Sequence, residues 1–103
     1  MTRSSGTAAQ ARNASLRTVS LIGAPTDVGA AERGASMGPE AMRVAGIQQA
    51  LEQRGLRVVD RGNLAGPPNP RLPCAAGYRN LKEVLEWSRL THEAVYEELG
   101  AGR

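Results

Sequence analysis

The 103-residue chain has room for one small domain, and 41% of it is apolar, as suits a folded protein. Phe is absent and Trp87, Tyr78 and Tyr96 are the only aromatic residues, so any core must be aliphatic and modest. The net charge of +3 comes from Arg3, Arg12 and Arg17 in an acid-free opening, while basic and acidic side chains balance from Thr18 onward. A neutral body lacks the positive face that phosphate-backbone binding requires, which argues against a nucleic acid partner.

Cys74 is the sole cysteine, so no internal disulfide forms and a reducing compartment, the cytoplasm, is the expected location. No run of about 18 apolar residues is present to span a membrane. Residues 1–17, "MTRSSGTAAQARNASLR", have no apolar h-region of a secretory signal and read as a disordered basic tail. Asn13-Ala14-Ser15 fits a glycosylation sequon, which carries no weight without such a signal.

In chain order, "TVSLIG" predicts a buried strand from Val19 to Gly23, closed by Ala24-Pro25. A loop carrying Gly29, Gly34 and Gly38 follows. Pro39 suits the first turn of a helix, where its fixed φ fits and its missing N–H is not needed. Glu40 lies near the positive end of the helix dipole. Val44, Ile47 and Leu51 then recur at helical spacing, and Gly55 is a natural stop, which predicts one helix from Pro39 to Arg54. "LRVVD", Leu56 to Asp60, predicts a second strand. Strand, helix and strand make a βαβ unit with parallel strands and a right-handed crossover. "GNLAGPPNPRLPCAAG" holds four prolines and reads as an irregular connector. From Asn80, an N-cap with Glu83 three residues on, a helix runs to Leu99 and stops at Gly100. Its apolar face is expected at Leu81, Val84, Leu85, Val95 and Leu99, with Trp87 and Leu90 pointing the other way.

None of these residues forms a catalytic constellation. "GAAERGAS", Gly29 to Ser36, follows the phosphate-loop frame but places Ala35 where the phosphate-reaching lysine should stand. His92, the one histidine, sits among apolar positions of the last helix and reads as a packing residue. Cys74 has no base near it in sequence to make it a nucleophile. Glu86, Glu93, Glu97 and Glu98 read as a solvated helix surface. The glycine loop is different only by position. It leaves the carboxyl end of the first strand, where open parallel α/β sheets bind their ligands.

The stretch "VSLIGAPTDVGAAERGASMGPEAMRVAGIQQAL…GLRVVDRGNL", Val19 to Leu64, resembles the opening of arginases in the ureohydrolase family. The features in common are a strand ending in "IGAP", a loop running into "RGASMGPEAMRVAGI", and a strand ending in "DRGNL". The resemblance implies an α/β fold, with residues 18–103 as the incomplete N-terminal β-α-β-α portion of a three-layer, mostly parallel sheet. It implies hydrolysis of L-arginine to L-ornithine and urea at a pair of Mn²⁺ ions in the complete protein, commonly a homo-oligomeric trimer or hexamer. The family's metal-ligand motifs, G-G-D-H and D-A-H-x-D, do not occur here, so no catalytic or metal residue carries over. Asp27 and Arg33 carry over only as residues of a loop at the site rim. A fragment of a related ureohydrolase such as an agmatinase, and a stand-alone interaction module or gene remnant, remain the alternatives.

The composition of the opening segment makes it dispensable for folding. Limited trypsin digestion should cut at Arg12 and Arg17 before any site from Thr18 onward; protection of both would show a packed segment.

Overall fold

The computed structural model describes residues 17–74 and 76–103. The tail expected over residues 1–17 therefore lies outside the described residues except for Arg17, whose carbonyl accepts the Arg57 N–H at 3.3 Å.

Two strands form the sheet, β1 at Thr18–Gly23 and β2 at Arg57–Asn63. They pair in parallel, with Val19 opposite Val58 and Ser20 opposite Val59. Aliphatic and β-branched side chains at these positions suit a pleated, half-buried surface. β2 runs past its expected end at Asp60. Asp60 Oδ1 accepts the Gly62 N–H at 2.8 Å, and Gly62 takes a left-handed φ of 77°. The register shifts between Leu21 and Gly23, and pairing resumes with Gly23 opposite Asn63.

The helix expected from Pro39 to Arg54 is two helices, α1 at Gly38–Val44 and α2 at Ile47–Glu52, preceded by a single 3-10 turn at Ala35–Met37. The break lies at Gly46, which takes φ 91°, a left-handed conformation that ends α1 and starts α2. This turn carries Val44 out of the stripe expected of it, leaving it 85% exposed, while Ile47 and Leu51 are half-buried. α1 is fixed by charge instead. Arg43 forks onto Asp60 of β2, with Nε at 2.9 Å from Oδ2 and Nη2 at 3.1 Å from Oδ1. Its Nη1 also donates to Asn63 Oδ1 at 2.6 Å and to Glu40 Oε1 at 3.0 Å. Hydrogen bonding to Arg43, then to the Gly62 N–H, holds the Asp60 carboxyl below its ordinary pKa.

Helix α3, Leu81–Gly100, supplies the second helical layer. Side chains alternate across a strand. Leu21 borders a hollow with Pro39, Met42 and Ile47, whereas Ser20 reaches Glu98 of α3. Asp60 likewise meets α1 and Arg61 meets α3. The sheet is therefore flanked on one face by α1 and α2 and on the other by α3, in three layers.

The face of α3 turned inward is not the aliphatic one that was expected. Trp87 and Glu98 are buried, at 7% and 6% exposure, with Thr91 and Ala94 between them at helical spacing. Leu85 and Leu99 stand outward, 59% and 66% exposed. The reason is Trp87, whose ring lies over Gly66 and whose Nε1–H donates to the Pro67 carbonyl at 2.8 Å. Asn80 does precede α3, but its side chain does not cap the helix. Glu98 is not a solvated surface residue either. It accepts from Ser20 Oγ at 2.5 Å and from Arg103 Nη1 at 3.0 Å, and pairs with Arg61 Nε at 3.2 Å. Among the described residues the buried apolar side chains are Val28 and Trp87 alone, so contacts of this polar kind carry much of the positioning.

A methyl group at residue 66 would stand 2.6 Å from the Trp87 ring. Gly66→Ala should cost about 1–3 kcal/mol of unfolding free energy, seen as a lower urea midpoint, and shift Trp87 emission to the red. An unchanged midpoint and emission would show that the ring does not rest on this glycine.

Candidate functional site

Residues 24–34 leave the carboxyl end of β1, and Asn69, Arg79 and Asn80 of the connector at residues 64–80 fold against them. Between the two runs a cleft of about 310 Å³, whose lining includes Asp27, Arg33, Asn69, Arg71, Arg79 and Asn80. The loop is built from short local bonds. Thr26 N–H reaches the Ala24 carbonyl at 2.9 Å, Val28 N–H reaches Thr26 Oγ1 at 3.2 Å, and Ala30 N–H reaches the Asp27 carbonyl at 2.9 Å. Gly34 follows at φ 118°, a value that favours glycine, and admits the 3-10 turn. Gly38 has ordinary helical φ, −54°, and opens α1.

Two asparagines lock the loop to the connector. Asn69 Nδ2 donates to Asp27 Oδ1 at 3.0 Å. Asn80 Nδ2 donates to the Val28 carbonyl at 3.0 Å and to Asn69 Oδ1 at 3.1 Å, and that oxygen also accepts the Arg71 N–H at 2.7 Å. Neither asparagine is legible in sequence as a loop clamp; Asn80 has the signature of an N-cap, and its partners lie far along the chain. Arg79 adds a longer contact, Nη1 to the Ala30 carbonyl at 3.4 Å.

Asp27 is half-buried and Arg33 exposed, and both line this cleft. Cys74 lines it too, as an exposed free thiol. His92 lies elsewhere, with its ring centroid 6.2 Å from that of Tyr96. It borders an apolar hollow with Val28, Trp87 and Val95 and is exposed, so it is not the packing residue expected. Among the described residues no group of three or more His, Cys, Asp or Glu side chains is placed to hold a metal ion. No helix among them is long and apolar enough to cross a membrane.

A family model described as the arginase family matches residues 17–98. An arginase of Brevibacillus brevis is 33% identical over 87 residues, 84% of this chain and 29% of that protein. The arginase of Agrobacterium fabrum is 36% identical over 84 residues, 80% of this chain and 26% of its own length. That of Bacillus caldovelox is 36% identical over 90 residues, 85% of this chain and 30% of its own. The chain thus spans less than a third of these relatives. No solved structure matches it.

Proposed function

Because this chain belongs to the arginase family, we propose that it supplies the first β-α-β-α portion of a ureohydrolase that hydrolyses L-arginine to L-ornithine and urea. The observation that carries this reading is the family match across residues 17–98, joined by relatives that are named arginases. Those names support arginine over agmatine as the substrate.

A pair of Mn²⁺ ions would supply a metal-activated hydroxide in such an enzyme. The described residues do not fit that group, since they offer no ligand cluster. The role assigned to residues 18–103 is therefore scaffold, with Asp27 and Arg33 on a loop edging the site. A cytoplasmic location and assembly into trimers or hexamers belong to the same proposal. The free, exposed Cys74 is consistent with a reducing compartment. A second reading, a non-catalytic interaction module, draws on the outward Leu85, Tyr96 and Leu99 of α3.

The 103-residue chain loaded with Mn²⁺ should release no urea from arginine above a no-protein control. A chimera separates the readings. With residues 18–98 of this chain replacing the aligned segment of the Bacillus caldovelox arginase, the folded, metal-loaded chimera should release urea from arginine. A folded, metal-loaded but inactive chimera would favour the interaction module.

A further inference from the structure

The cleft beside β1 holds an imbalance that its own contacts do not resolve. Arg43, Arg61, Arg89 and Arg103 each meet a carboxylate. Arg33, Arg71 and Arg79 all line the cleft and, like the exposed Arg54 and Arg57 outside it, form no ion pair among the described residues; what sets them apart is that the cleft gathers three of them. Arg79 is the sharpest case. It is half-buried, and among the described residues its side chain donates only the long 3.4 Å contact to the Ala30 carbonyl. A guanidinium has five donors and loses hydration when partly buried, so it gains from an acceptor placed against it.

Two carboxylates share the cleft, and they do not cancel this charge. Asp27 already accepts from Asn69, and Glu32 is exposed. Asn80, which lines the same space, precedes a 20-residue helix and leaves its first turn without a side-chain cap. An uncapped helix start adds positive potential to that of the three arginines.

We propose that this cleft binds a small oxyanion, a carboxylate- or phosphate-bearing molecule, through Arg33, Arg71 and Arg79. Guanidinium forks match both kinds of anion by paired N–H···O bonds. A space of about 310 Å³ admits a small metabolite rather than a polymer. Glu32 opposes the bound charge and sets the affinity. The assignment is independent of urea chemistry, because it needs only the loop, the connector and the start of α3.

The test follows the arginine Nε–H signals of the full chain by NMR during titration with sodium phosphate or sodium succinate at constant ionic strength. Saturable shifts are expected at Arg33, Arg71 and Arg79, with Arg54 and Arg57, exposed and outside the cleft, unmoved. Arg71→Gln should weaken binding about two- to fivefold, the worth of one exposed ion pair, and Glu32→Gln should tighten it by a similar factor. Both residues are exposed and neither side chain holds the loop, so the variants keep the fold. Saturation by phosphate alone identifies a phosphate ligand, and by succinate alone a carboxylate; either supports the site. Non-saturating shifts, equal shifts at Arg54 and Arg57, or weaker binding by Glu32→Gln would overturn it.

Discussion

A buried glutamate fixes the far end of the longest helix to both strands. Glu98 of α3 takes the hydroxyl of Ser20 on β1 and the guanidinium of Arg61 on β2, and it also draws in Arg103 beyond the helix end. Burying a carboxylate is costly unless donors surround it, and here three are present. With Val28 and Trp87 the buried apolar side chains among the described residues, dispersion and area burial cannot by themselves set the helix direction. The glutamate provides that constraint.

The cleft depends on this anchor through the rigidity of α3. A helix of 20 residues spans about 30 Å. One end is held at Glu98, the middle by Trp87 on Gly66 and Pro67, and the other end by Asn80 on Val28 and Asn69. The strut thereby presses the connector against residues 24–34 and holds the two walls of the cleft together. On the opposite face of the sheet, Arg43 performs the corresponding task by forking onto Asp60. With the Gly46 turn on one face and Trp87 on the other deciding which sides face the sheet, Val44, Leu85 and Leu99 stand outward.

Much of the architecture is legible in the sequence. The β-branched runs marked both strands to within a few residues, and the apolar period marked α3. The motif from Val19 to Leu64 pointed to the arginase family, to which the chain belongs. What escaped has physical causes. Gly46 lies inside the span that the apolar spacing predicts as one helix, Pro39 to Arg54, yet its left-handed φ divides that helix in two. Counting aliphatic residues favoured the Leu85 and Leu99 face, but a single indole on a glycine 21 positions earlier outweighed them. Glu98 resembled its acidic neighbours because its donors lie up to 78 positions away. Asp27 and Arg33 could be placed on a loop by sequence; Asn69, Arg71 and Arg79, which complete that cleft, come from a proline-rich connector with no periodic signal.

The Glu98 anchor has a definite pH signature. The Ser20 hydroxyl first, then Arg103 and Arg61, hold the Glu98 carboxyl below the ordinary glutamate pKa. A group with a lowered folded pKa stabilises fully above its unfolded value, and that stabilisation is lost as pH falls through the folded value. The most direct measurement is the urea midpoint of the chain from neutral pH down through the carboxylate range, read by Trp87 fluorescence, for the wild type and for Glu98→Gln. The wild type should hold a constant midpoint above the ordinary glutamate range and lose stability below it. Glu98→Gln should start lower at neutral pH and fall less steeply in acid. Superimposable profiles for the two proteins would contradict the account.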